Sequence, residues 1–462
     1  MNTLSSDAFV FFGATGDLAY KMIFPALQAL IRHQRLDVPI VGVAKAGWGL
    51  EQLKSRARDS LETHGTFDET SFNRLFTLLR YVDGDYRDAE TFARLRQALG
   101  EAKRPLHYFA IPPSLFATVA VGLSKAQCTQ NARVVAEKPF GRDLPSAREL
   151  NRTLHKFFPE SNIFRIDHFL GKEPVENLIY FRFANPSVQA CWNRKHIECV
   201  QITMAEQFGV TGRGKLYDEV GAIRDVVQNH MLQVIACLAM ECPQRKDSEA
   251  FRDERARLLQ DIRALTPDDI IRGQFRGYRQ EPGVASDSTV ETFAALRFHI
   301  DNDRWQDVPF FVRVGKCLPI TATDVVVQFK RPLHPLLEEP EPFQPNYYRF
   351  RLTPSTVIAS GIKVKKAGEL MAGERIELLA HHQGPDDMEP YERLLGDALD
   401  GNSELFARED SVEAAWRIVD PVLGNVTPCF EYSPDTWGPD EIDQLQAPEG
   451  GWRNPARDPT AF

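Results

Sequence analysis

AFVFFGATGDL, Ala8 to Leu18, decides how the chain begins to fold. Ala8–Gly13 is an uncharged apolar run that reads as a buried strand. From Asp17 to His33 the apolar residues recur at helical spacing. Gly13-Ala14-Thr15-Gly16-Asp17-Leu18 joins the two. A glycine turn between a strand and a helix lets the backbone approach a pyrophosphate at the helix N-terminus, so these six residues are candidates for dinucleotide binding. Turn glycines also arise for steric reasons alone, and the loop by itself leaves that alternative open.

Outward from this loop the alternation continues. Pro39–Ala44, Leu106–Ile111, Ala132–Ala136 and Ile163–Ile166 read as further strands. Helical patterns fall around Leu50–Thr63, Asp68–Leu79 and Leu144–Phe157, with another between the strands at 106 and 132. Such alternation implies right-handed βαβ units and a mostly parallel sheet. After about Leu178 the period changes to two, in Cys199–Gln207, Thr292–Ile300, Phe310–Gly315, Thr323–Phe329 and Tyr347–Leu352. Helical stretches at Gly221–Met240 and Pro390–Gly396 interrupt these runs. The expected architecture is an α/β Rossmann domain over residues 1–178, then an α+β domain over 179–462 with a large, mostly antiparallel sheet. The Pro- and Glu-rich stretch Leu333–Asn346 reads as a surface loop.

A length of 462 residues suits two domains rather than one core. The net charge of −9 argues against general nucleic-acid binding and leaves room for a local basic pocket for a phosphorylated metabolite. The N-terminus has no basic residue before its apolar run, and no stretch approaches a membrane span, so a cytoplasmic protein with no membrane partner is expected. Seven scattered cysteines without a CxxC read as small core residues in a reducing compartment, not as a disulfide framework or zinc site. No metal is expected.

Three further segments carry candidate chemistry. In FRIDHFLGKE, Phe164–Glu173, Asp167 lies next to His168, and a carboxylate beside an imidazole can orient a base. His168 and Lys172, if helical, share a face and can grip an anion such as a phosphate. A solvated helix start with a charge pair is the plainer alternative. In AEKPFG, Ala136–Gly141, Lys138 stands before a proline at the carboxyl end of a strand, where parallel sheets hold their ligands. In DVVQNH, Asp225–His230, a helix carries Asp225, Gln228 and His230. Glu206, Asp218 and Asn229 add polar groups to this otherwise apolar neighbourhood. Lys45 follows the second strand, where a cation attracts the 2′-phosphate of NADP and an acid would bind the ribose of NAD.

GATGDLA, AEKPFG, FRIDHFLGKE and RDVVQNH together resemble the glucose-6-phosphate dehydrogenase family. So do AEQFGVTGRG (Ala205–Gly214), SDSTVETFAAL (Ser286–Leu296), RVGK (Arg313–Lys316), AAWRIVDP (Ala414–Pro421) and WGP (Trp437–Pro439). The resemblance implies oxidation of glucose 6-phosphate at C1 to the lactone, the first step of the oxidative pentose phosphate pathway, with hydride passing to NADP. It implies a homodimer or homotetramer assembled through the second domain. By position, His230 resembles the general base and Asp167 the carboxylate that orients it. His168 and Lys172 resemble phosphate ligands, and Glu206 and Asp225 sugar-hydroxyl ligands. Lys138 and Lys316 resemble further substrate contacts, with Lys138 also near the cofactor. The cofactor residues so implied are Gly13, Thr15, Gly16, Asp17, Leu18, Lys45 and Lys138.

The chain departs from the family pattern at four places. Phe169 replaces a tyrosine, losing one hydroxyl donor and implying weaker substrate binding. Met22 replaces a lysine, Thr321 stands near where a second lysine is common, and Lys45 replaces an arginine. Lysine lacks the planar face that stacks on adenine, so NAD stays open beside NADP. Two other readings remain open on the residues: a non-catalytic sugar-phosphate binder, and a different sugar oxidoreductase sharing the EKP turn.

Overall fold

The computed structural model describes residues 5–65, 67–332, 345–368, 372–381, 388–445 and 450–458. All but the last two residues of the expected loop at 333–346 lie outside them. Two compact units form. One holds Met1–Glu173 with Pro243–Ala256 and Met388–Glu413; the other holds Pro174–Cys242, Arg257–Asp387 and Ala414–Phe462.

The first unit is built on β1 (Ala8–Phe12), β2 (Ile40–Ala44), β3 (Leu79–Asp83), β4 (Pro105–Phe109), β5 (Arg133–Ala136) and β6 (Ile163–Arg165). All are parallel, in the order β3-β2-β1-β4-β5-β6. Every residue of β1, β2 and β4 is buried, which is why these strands read as unbroken apolar runs. β3 was not expected from the sequence. As the edge strand it buries only Leu79 and Val82, and its Arg80 and Asp83 break the apolar signal. The helix Ala89–Leu99 that follows was also not expected; the Asp88 carboxylate caps it by accepting from the Glu90 N–H. The expected helix at 17–33 is a π-helical turn, Ala19–Ile23, running into an α-helix, Phe24–Arg32.

Register aligns the carboxyl ends of the central strands. Phe12 pairs with Phe109, Phe109 with Ala136, and Ala136 with Arg165. Two residues beyond that row, the chain reaches Ala14, Ile111, Lys138 and Asp167. The strand order reverses between β1 and β4, the point at which such sheets open a ligand crevice.

The second unit is built on a nine-stranded sheet. Its strands are β7 (Ile197–Ala205), β8 (Ile270–Phe275), β9 (Phe293–Phe298), β10 (Phe310–Gly315), β11 (Ala322–Phe329), β12 (Tyr347–Thr353), β13 (Val357–Lys365), β14 (Gly373–His381) and β15 (Cys429–Tyr432). The order is β14-β13-β12-β11-β7-β10-β9-β8-β15. Neighbours are antiparallel except β7–β10 and β8–β15. The expected period-two runs became β7, β9, β10, β11 and β12. β8, β13, β14 and β15 were not expected: β14 buries none of its residues and β15 is only four residues long. The helical stretch expected at 390–396 is the helix Pro390–Asp400. It packs into the first unit, not among these strands. No helix among the described residues is long and apolar enough to cross a membrane.

One buried titratable group makes the parallel sheet sensitive to acid. His107, in the middle of β4, is fully buried, and its Nε2 lies 2.7 Å from the Cys128 carbonyl. Burial lowers its pKa to about 4. A depressed histidine pKa means that the unfolded chain takes the proton first as pH falls. The stability contribution is therefore complete above about pH 6.5 and is lost between there and about pH 4. Lowering the pH from 7 to 5 should cost about 2 kcal/mol through this group alone. Urea unfolding of wild type and His107→Gln at both pH values checks this. The loss on acidification should shrink in the variant, and an equal loss in both would remove His107 as its source.

Candidate active site

In the first unit the glycine loop closes against the strand ends. Gly13 has φ +82°, and a Cβ there would lie 2.2 Å from the Ala110 carbonyl oxygen, so only glycine fits. Its N–H donates to the Val43 carbonyl and to the Tyr86 hydroxyl, both at 2.9 Å. The Tyr86 hydroxyl itself donates to Val43 at 3.1 Å. The Gly16 N–H donates back to the Gly13 carbonyl at 2.9 Å. Gly16 and Asp17 stay exposed, Thr15 and Leu18 are half-buried, and the helical turn starts from Leu18. The exposed Asp17 carboxylate is balanced by Lys21 at 3.6 Å and Arg56 at 3.9 Å. A tight glycine turn at the reversal of strand order, with open backbone entering a helix, fits a dinucleotide pyrophosphate.

Lys45, just past β2, is exposed and reaches the Asp85 carboxylate at 2.9 Å. Lysine beside it holds the Asp85 carboxyl below its ordinary range. The Asp83 carboxylate accepts from the N–H groups of Ala46 and Gly47, both at 2.9 Å, and fixes the turn that carries Lys45. The cation expected from the sequence is therefore present, with an acid already on it.

Past β5 and β6 lie Lys138 and Asp167. The Lys138–Pro139 peptide is cis. The Ile166 N–H donates to the Ala136 carbonyl at 3.0 Å and carries the ladder to the edge of both loops. Asp167 is buried; its Oδ1 accepts from the Phe169 N–H at 3.0 Å and its carbonyl from the Leu170 N–H at 3.0 Å. This is an Asx-type turn, not the helix on which the shared face of His168 and Lys172 depended. The next helix begins at Glu173. The buried ring of Phe169 gathers the two instead. The Lys172 ammonium lies 3.9 Å from its centroid, and the His168 ring packs edge-on at 5.2 Å. Phe169 thus holds the Lys172 ammonium over its face.

In the second unit β7 and β10 run parallel, with Ala205 opposite Gly315. Glu206 and Lys316 are the next residues, and their side chains meet at 2.6 Å. The Glu206 N–H donates to the Gly315 carbonyl at 3.0 Å, and the Tyr432 hydroxyl donates to the Lys316 carbonyl at 2.7 Å. The Lys316 ammonium also faces the rings of Phe208 and Tyr217. Thr321 Oγ1 accepts the Gln207 N–H at 3.0 Å.

Asp225 and His230 lie on Ile223–Met231, which is π-helical. Winding closed i→i+5 brings residues five apart closer to one line than an α-helix would. His230 is buried, and its backbone N–H donates to the Asn229 side chain at 2.6 Å. The helix starts on Glu291, whose carboxylate accepts the Ile223 N–H at 3.2 Å and pairs with Arg272 at 3.1 Å. Gly221 allows the turn into it: φ is +67°, and a Cβ would lie 2.5 Å from the Glu291 carboxylate. Burial, then the charges of Asp225 and Glu206, push the Tyr217 phenol far above its ordinary pKa. Asp218 does not join them; it accepts from Tyr278 at 3.0 Å, from the Ala285 N–H at 3.1 Å and from Ser288. Sequence reasoning missed Tyr86, Asp85 and Tyr217, which stand in no recognisable motif, and passed over Glu291 within SDSTVETFAAL.

Comparison with known proteins bears on both units. The family model for the glucose-6-phosphate dehydrogenase NAD binding domain matches residues 10–177, and that for the C-terminal domain matches residues 179–453. The chain is 44% identical over 452 residues to glucose-6-phosphate 1-dehydrogenase 1 of Mycobacterium tuberculosis, covering 98% of this chain and 97% of the relative. The crystal structure of glucose-6-phosphate 1-dehydrogenase from Mycobacterium avium superposes with a TM-score of 0.91 at 43% identity, over 98% of this chain and 99% of that one. A glucose-6-phosphate dehydrogenase solved with its substrate glucose 6-phosphate gives 0.90 at 33% identity, again over 98% and 99%. Matched in both halves and along almost its whole length, the chain belongs to the glucose-6-phosphate dehydrogenase family.

Proposed function

We propose that the chain oxidises C1 of glucose 6-phosphate to 6-phosphogluconolactone with NADP, and with NAD as a second cofactor, in the cytoplasm and as a homodimer or homotetramer. Residues 1–178 bind the cofactor and supply the phosphate contacts; residues 179–462 supply the base, the sugar-hydroxyl ligands and the subunit contact. Membership of the family supports the reaction. The observation that carries the reading is the strand register that brings the glycine turn, Lys138 and Asp167 to one edge of the parallel sheet.

In this reading the C1 hydroxyl loses its proton to a ring nitrogen of His230. Neutral imidazole, with an unperturbed pKa of about 6.5, suits that task near neutral pH. Asp167 is the carboxylate that orients the ring and offsets the charge it gains. A nicotinamide held by the glycine turn would supply the hydride acceptor for C1. His168 and Lys172, gathered on the Phe169 ring, bind the phosphate. That remote contact positions C1 without touching it. Glu206 and Asp225 accept sugar hydroxyls, and Lys316, 2.6 Å from the Glu206 carboxylate, aims it. Lys138 contacts the sugar and lies near the cofactor. Gly13, Thr15, Gly16, Asp17 and Leu18 form the pyrophosphate turn.

Cofactor choice follows from the pair after β2. Lys45 attracts a 2′-phosphate, and Asp85 both competes for that lysine and offers an acceptor for ribose hydroxyls. This mixture supports use of NAD as well as NADP.

Two measurements test the reading. His230→Asn should lower kcat by about 10²–10⁴-fold while the Kd for glucose 6-phosphate changes little. Activity within a few-fold of wild type would remove His230 as the base. Asp85→Asn should raise the NADP-to-NAD ratio of kcat/KM and of direct nucleotide affinity several-fold, and Lys45→Asp should reverse it. Equal effects on the two nucleotides would end the selectivity role of this pair.

A further inference from the structure

Glu137, between β5 and Lys138, is a buried carboxylate. It accepts hydrogen bonds from the hydroxyls of Tyr108 and Tyr391 and from the backbone N–H of its neighbour Lys138. Tyr108 lies within β4, and Tyr391 opens the helix Pro390–Asp400, from late in the chain. Both phenols are buried. Burial holds the Glu137 carboxyl above its ordinary range, while two hydroxyls, an amide and the Lys138 ammonium act in the other direction.

The same helical turn leans on the second loop. A Cβ at Gly171 would lie 2.9 Å from Leu394 Cγ and 3.1 Å from the Pro390 carbonyl oxygen. Gly171 sits between Phe169 and Lys172, so the glycine lets Pro390–Asp400 seat directly beneath the turn that gathers His168 and Lys172. Tyr391 stands between the two supports, and its phenol feels the charges of both Glu137 and Asp167.

We infer that Glu137 and Tyr391 are positioning residues for substrate, fixing the Lys138 loop and the Asp167–Lys172 loop to one helical turn so that both keep the spacing glucose 6-phosphate requires. The inference rests on the reading of Lys138, His168 and Lys172 as substrate contacts. Neither residue need touch the sugar. Glu137 acts through the backbone of Lys138 and the field at its ammonium, Tyr391 through Glu137 and the seat of Gly171. Because one hydrogen-bonded path joins them, their effects should not add.

The test uses the full-length chain with Tyr391→Phe, which removes one hydroxyl and keeps the ring, and Glu137→Gln. Titration calorimetry with glucose 6-phosphate in the absence of nucleotide gives Kd, steady-state assays give KM and kcat, and thermal melting reports folding. Each variant should raise Kd and KM about tenfold, the size expected for losing one hydrogen bond to a charged group, with kcat reduced less. The double variant should be no worse than Glu137→Gln alone, and Tyr391→Phe should melt cooperatively only a few degrees below wild type. If Glu137→Gln fails to fold, Tyr391→Phe alone decides. Wild-type Kd and KM in the folded variants would overturn the positioning role while leaving the functional reading intact. A wild-type chain that binds no glucose 6-phosphate would overturn that reading, and this inference with it.

Discussion

The parallel register of β1, β4, β5 and β6 is the constraint on which the first unit's chemistry depends. Phe12, Phe109, Ala136 and Arg165 stand in one hydrogen-bonded row. A one-residue slip in any pair would turn every side chain of that strand to the opposite face. It would also move Gly13, Lys138 or Asp167 out of the common edge. Unbroken apolar burial of β1, β2 and β4 makes that slip costly, and the close approach of Gly13 to the Ala110 carbonyl leaves the turn only one residue type.

In the second unit two ion pairs join segments that are far apart in sequence. Glu206 and Lys316 leave β7 and β10 side by side because their strands are parallel and in register. Arg272 on β8 meets Glu291, which in turn starts the helix bearing Asp225 and His230. Such pairs contribute little net stability, since desolvation offsets much of their attraction. They do fix direction. Lys316, 2.6 Å from Glu206, fixes the direction of that carboxylate.

What was legible in the sequence follows from how local each signal is. The strands of the first unit announced themselves through apolar runs flanked by helical spacing, and the glycine turn, AEKPFG and FRIDHFLGKE each lie within ten residues. β3 escaped because an edge strand such as Leu79–Asp83 needs no second apolar face. β14 escaped because it buries none of its residues, and the period-two signal depends on burial. The helical premise for His168 and Lys172 failed because Asp167 bonds its own backbone two residues on and turns the chain, and the Phe169 ring then gathers the pair. Asp85, Tyr86, Glu291 and Tyr391 could not be found by spacing, because each acts on a partner tens or hundreds of residues away. Glu137 lay inside a recognised motif and was still passed over, since its importance comes from Tyr108 and Tyr391 rather than from Lys138 beside it.

In the proposed function the sugar is held by its phosphorylated end so that C1 meets the base and the nicotinamide. Reduced-nicotinamide absorbance with glucose 6-phosphate and with free glucose, for the wild-type chain and each nucleotide, tests it most directly. The account predicts turnover of the phosphate ester with kcat/KM higher than for free glucose by about 10³-fold or more, because the remote phosphate supplies the positioning energy. Equal efficiency on the two sugars, or oxidation of glucose alone, would contradict it.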